Sequence, residues 1–172
     1  MEFQHNDGGR VAAGYKGSAR DCVARSIAIA TGKPYQEVYA ALNALGAAER
    51  NSKKRKHKSS AREGVHTPTA RRYLESLGWR WVPVMQIGRG CTAHLRAEEL
   101  PTGRLIVKLS RHFTAVIDHV IHDTHDPSRD GTRCVYGYWL PPGSEPVYLV
   151  DTIKDTRNEC REGCKIGIIH KG

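Results

Sequence analysis

The spacing of apolar side chains changes character part-way along this chain. In the first half it follows the helix. Val23, Ile27 and Ala30 recur at helical intervals, with Asp21 a good N-cap residue and Gly32 a good residue just past the end. Pro34 opens a second helical stretch whose stripe is Tyr35, Val38, Leu42 and Leu45, ended by Gly46. Thr67-Pro68 begins a third, through Ala70, Tyr73 and Leu74 to Leu77, stopped by Gly78.

Beyond Gly78 the period shortens to two. Trp79 to Val84 alternates, and Arg104-Leu105-Ile106-Val107-Lys108-Leu109 reads as a strand after a brief helical signal at Ala97 to Leu100. Phe113 to Ile117 and Val120 to Thr124 read as two strands joined by Asp118-His119, and Arg133 to Trp139 as another. Helices first and antiparallel strands afterwards is an α+β order. Residues 1–145 are expected to form one domain, with 1–20 as a looped lead-in and 47–64 as a mobile basic insertion. Residues 146–172 read as a C-terminal extension with one strand candidate, Val147 to Val150.

At 172 residues, 39% hydrophobic and 26% charged, the chain suits one soluble globular unit. No apolar run reaches the roughly 18–20 residues of a membrane span, and residues 1–7 lack the features of a secretory signal, so a cytoplasmic location is expected and no membrane partner. The net charge is +9, yet residues 50–62 hold seven cations and no acid. The basic character therefore belongs to the insertion. Five cysteines spread without a framework are expected to be reduced thiols.

Candidate chemistry starts at Cys22. A thiol becomes a strong nucleophile on losing its proton, and both a helix start and a nearby imidazolium favour that loss. The alternative for Cys22 is a small buried hydrophobe at the head of a core helix. The hairpin decides between them. With Asp118-His119 as a two-residue turn, Ile117 faces Val120, Val116 faces Ile121, Ala115 faces His122 and Thr114 faces Asp123. His112 and Asp123 are then diagonal neighbours on one sheet face, while Phe113, Ala115 and Ile117 form a core-facing row.

Asp21-Cys22-Val23 at a helix start, then His112-Phe113-Thr114-Ala115-Val116, then Ile121-His122-Asp123-Thr124 resembles the papain-like cysteine peptidases. The short spacing is most similar to their compact branch, which includes the bacteriocin-processing peptidases. The resemblance spans roughly residues 15–140. It implies a papain-like fold, with helices packed on an antiparallel sheet. It also implies Cys22 as nucleophile, His112 as base, Asp123 as the residue orienting the imidazole, and the Cys22 backbone N–H as one oxyanion donor. The substrate would be a polypeptide, cut at a peptide or isopeptide bond, and no cofactor is called for. Such compact proteins suit bacteria or phages. The family places a Gln about six residues before the nucleophile, where this chain has Lys16; Gln4 is the candidate replacement.

Other readings compete at particular residues. His112, Asp123 and His125 make three potential zinc ligands on one face, and Cys160, Cys164 and His170 make a second set lacking a fourth. Cys91 and Cys134 have no activating context and read as structural. Lys53, Lys54, Arg55, Lys56 and Lys58 suit contact with nucleic acid or an acidic partner, although no aromatic residues interleave for base stacking. The protein would then be a nucleic-acid-associated binding protein. A third reading is a catalytically inactive papain-like binding module.

Overall fold

The computed structural model describes residues 1–50, 57–85, 88 and 90–148. Three helices, α1 (Cys22–Thr31), α2 (Tyr35–Ala47) and α3 (Thr67–Ser76), precede most of the strands. The strands are β1 (Glu2–His5), β2 (Arg80–Pro83), β3 (Arg104–Leu109), β4 (His112–Ile117), β5 (Val120–Asp123) and β6 (Val135–Leu140). They form one sheet in the order β1-β5-β4-β3-β6-β2. The fold is α+β, as the order of periods implies.

Two features of the sheet depart from expectation. Residues 2–5, expected as part of a looped lead-in, form an edge strand. That strand runs parallel to β5, pairing Gln4 with His122 and His5 with Asp123, so the sheet is mixed rather than antiparallel. Its four residues are all exposed, which removes the apolar signal that marks the other strands.

The central hairpin has the expected register, with Ala115 opposite His122, Val116 opposite Ile121 and Ile117 opposite Val120. Asp118 and His119 are both left-handed, with φ of 47° and 64°, as a tight two-residue hairpin turn requires. Another tight turn, Ser110-Arg111, joins β3 to β4 and sets Leu109 opposite His112.

Both sheet faces are buried. Ile106, Phe113, Ala115 and Trp139 pack with the buried side chains of the helices, notably Val23, Ile27, Val38 and Leu42. On the other face Leu105, Val107, Val116, Ile121 and Tyr138 are covered by Leu95 and Leu100. The core-facing row is thus Phe113 and Ala115, with Ile117 half-buried at the hairpin end. Burial on both faces explains the continuous apolar run of β3.

Residues 57–64, expected as part of a mobile loop, are tied to the helices. Glu49 accepts hydrogen bonds from the Ser59 N–H at 2.9 Å and from the Ser59 and Thr69 hydroxyls. Asn43 accepts from the Ala61 N–H at 2.8 Å. The chain here crosses α2 so closely that a Cβ on Gly46 would collide with the Ser59 carbonyl. Gly46 therefore lies within α2, where it admits the crossing strand of chain, and does not end the helix. Gly32 does end α1, at φ 71°, with its N–H bonded to the Ala28 carbonyl.

Candidate active site

Cys22 is the first residue of α1, half-buried, and is the free cysteine among the described residues. Asp21 occupies the N-cap position without a side-chain capping bond. Its carboxylate is committed elsewhere. The helix buries Val23, Ala24, Ile27 and Ala28 against the sheet, chiefly β4. This packing sets the head of α1 beside the start of β4, where the Ser110-Arg111 turn delivers His112.

His112 Nε2 lies 2.7 Å from Asp123 Oδ2, so the diagonal pair expected from the register is a hydrogen bond. Cys22 lines the same cavity as the ring, and its charge favours the protonated imidazole. With Nε2 on Asp123, Nδ1 is the nitrogen left for the sulfur. Burial favours the neutral imidazole, but the bond to Asp123 and the neighbouring Cys22, with their charges, outweigh it. They push His112 from 6.5 up to about 9. Burial likewise opposes the charge on Asp123. The His112 bond and charge, with the Thr124 N–H 2.7 Å from Oδ1, hold this carboxyl below its ordinary 3.8.

A second set of charges, not anticipated from the sequence, sits behind this pair. Asp21, 1% exposed, has Arg25 Nη1 2.7 Å from Oδ1 and Arg10 Nε 3.0 Å from Oδ2, and it accepts the Tyr35 hydroxyl proton at 2.6 Å. Arg25 also extends to Asp123, with Nη2 3.9 Å from Oδ1. Burial, then the bond to Asp21, pushes the Tyr35 phenol far up, so it stays a donor. The four-residue spacing of Asp21 and Arg25 on a helix was the legible signal. Arg10 and Tyr35 reach the site through tertiary folding alone.

Cys22, His112 and His125 line one cavity of about 490 Å³, walled on the far side by Glu63, Gly64 and Val65. The basic insertion thus returns to the site instead of standing apart from it. Arg20 N–H bonds the Arg62 carbonyl at 2.7 Å, joining the lead-in to this wall. Gln4 is not brought to Cys22. It lies exposed on the edge strand and is not among the cavity's lining residues. Lys16 is exposed, its carbonyl accepting from Arg10 Nη2 at 3.2 Å.

The remaining candidates separate clearly. The His125 ring lies 5.1 Å from His112, yet among the described residues no group of three or more His, Cys, Asp or Glu is placed to hold a metal ion. Cys91 and Cys134 form a disulfide, correcting the expectation of reduced thiols at these two positions. Their backbones meet where the coil after β2 lies alongside the approach to β6, a proximity no sequence spacing encodes. Lys58 is exposed and donates to the Ala47 carbonyl at 2.8 Å. Lys53, Lys54, Arg55, Lys56, Cys160, Cys164, His170 and the strand candidate beyond Tyr148 lie outside the described residues. Val147 and Tyr148 are not in a strand. Among the described residues no helix is long and apolar enough to cross a membrane. No family model, curated protein or solved structure matches the chain.

Proposed function

We propose that this protein is a cysteine peptidase or related acyl-transfer hydrolase of papain-like fold, using Cys22, His112 and Asp123. The observation that carries the reading is the hydrogen bond from the His112 ring to a buried Asp123 carboxylate, in the cavity that Cys22 lines from the head of α1. A protonated imidazole beside a sulfur at a helix start is the setting in which thiolate nucleophiles occur. Asp123 fixes the ring orientation and supports its positive charge.

The Cys22 sulfur adds to the carbonyl carbon of the substrate, and the Cys22 backbone N–H at the helix start stabilises the developing oxyanion. His112 then gives its proton to the leaving amine as the C–N bond breaks, leaving a thioester on Cys22. His112, now neutral, takes a proton from water as that water attacks the thioester. The acid product leaves, and the sulfur and imidazolium are restored. No cofactor enters the sequence. The substrate is a polypeptide, and the open cavity beside Cys22 gives an extended segment room to lie. A cytoplasmic location is part of this proposal. Its condition is that the Cys91–Cys134 bond is one that reducing surroundings would open.

The test is incubation with a diverse peptide mixture and sequencing of the new amino termini by mass spectrometry. Cuts made by the parent and absent with Cys22→Ala or His112→Ala support the reading. Cuts that persist in both variants, or no cuts by the parent, contradict it.

A further inference from the structure

On the side of His112 away from the nucleophile the molecule opens a second cavity, of about 770 Å³. Arg111, His112 and His125 line both cavities, so the two adjoin at the imidazole. No residue of α1, Cys22 included, lines the second. Its character is cationic. Arg111, Arg129 and Arg133 line it, with Asp126 as the one acid, whose carboxylate accepts the Ser128 N–H at 2.8 Å.

These arginines carry no ion pair: among the described residues the arginine ion pairs involve Arg10, Arg25, Arg62, Arg71, Arg80 and Arg96, and none involves Arg111, Arg129 or Arg133. Arg133 Nη2 donates to the Ser110 carbonyl at 2.6 Å, while its Nε is buried without a partner. Arg111 and Arg129 sit at φ of 57° and 54°, in tight turns that hold them at the rim. A concave surface lined by unpaired cations concentrates field lines and attracts carboxylates.

We infer that this second cavity binds acidic side chains of the polypeptide substrate on the leaving-group side of the scissile bond. The side follows from the chemistry and rests on the peptidase reading. Cys22 bonds the acyl carbon, and His112 protonates the leaving nitrogen. The chain beyond that nitrogen must therefore continue past His112, into the space Cys22 does not line. Aspartate or glutamate there would meet Arg111, Arg129 and Arg133.

Two measurements separate this inference from the reading beneath it. In the first, fluorescence anisotropy follows binding of matched Glu-rich and Gln-rich ten-residue peptides to the Cys22→Ser protein. The Glu-rich peptide is expected to bind about 10-fold tighter, the sum of a few partly exposed ion pairs. In Arg111→Asn/Arg129→Asn the preference should fall towards 1; Asn tolerates both left-handed positions, and an unchanged unfolding midpoint shows the fold is kept. Equal binding of the two peptides by the Cys22→Ser protein overturns the inference, as does a preference that survives the double variant undiminished. In the second, cut sites made by the parent are expected to be enriched in Asp and Glu after the cut. Cutting without that enrichment overturns the inference and leaves the peptidase reading standing. Arginine-dependent binding without any cutting keeps the acidic-peptide groove and removes the peptidase.

Discussion

Arg25 holds its Nη2 3.9 Å from Asp123 Oδ1 while its Nη1 sits 2.7 Å from Asp21 Oδ1. One guanidinium thus spans the residue preceding Cys22 and the carboxylate bonded to His112. The head of α1 and the end of β5 come from distant parts of the sequence. Arg25 ties them together beside His112, and under the proposed function it is a positioning residue.

Arg25→Ala should lower stability by about 2 kcal/mol in urea unfolding. That is less than the ~3–5 kcal/mol for leaving a buried charge unpaired, because Arg10 and Tyr35 still serve Asp21. If peptide cleavage is established, kcat should fall by roughly 10-fold or more while KM moves little, with partial recovery in Arg25→Lys. A drop in stability with kcat unchanged would make the role purely structural.

The His112 charge couples the site to pH. Its pKa is raised from 6.5 to about 9, so the folded state binds the proton more tightly than the unfolded chain. The stability this contributes, on the order of 3 kcal/mol, is fully present below pH 6.5 and lost as pH rises through about 9. Asp123 works at the other end: held below 3.8, it contributes stability above that value, lost as pH falls through its lowered pKa. The stability gap between parent and His112→Ala should therefore narrow between pH 6.5 and 9.5, measured by denaturant unfolding. A gap independent of pH would contradict the raised value.

Gly46→Ala should destabilise by about 1–3 kcal/mol, although alanine is the better helix former. The added methyl meets the Ser59 carbonyl, and the segment that leads on to the cavity wall at Glu63 must move to admit it. Thermal melting checks this. An unchanged or raised midpoint would mean that the crossing is looser than described.

Reduction of Cys91–Cys134 should lower stability by about 2–4 kcal/mol. The bond closes a sequence separation of 43 residues, for which chain entropy alone gives roughly 4 kcal/mol. Comparing the parent with Cys91→Ser/Cys134→Ser, both with and without dithiothreitol, isolates the effect.

How much of this was legible beforehand depends on how local each feature is. The hairpin register followed from one turn and the period-two rule, and it carried the His112–Asp123 pair with it. Helix α1 announced itself by apolar spacing and Gly32. The parallel edge strand did not, because Glu2–His5 bury nothing and carry no apolar alternation. The Asp21 environment and the Cys91–Cys134 bond are contacts between distant segments, which no single-segment pattern reports. Asp21 shows the limit well. Its place before the helix was readable, but its carboxylate makes no capping bond, and its contacts with Arg10 and Tyr35 required the fold.

The proposed function requires a reactive thiolate–imidazolium pair at Cys22 and His112. It is tested most directly by the pH dependence of alkylation, read by peptide mass spectrometry after iodoacetamide treatment of the parent and His112→Ala. Cys22 should be modified rapidly at pH 6 in the parent and lose that reactivity in the variant. Cys22 reacting like an ordinary thiol, with the same pH dependence in both proteins, would contradict it.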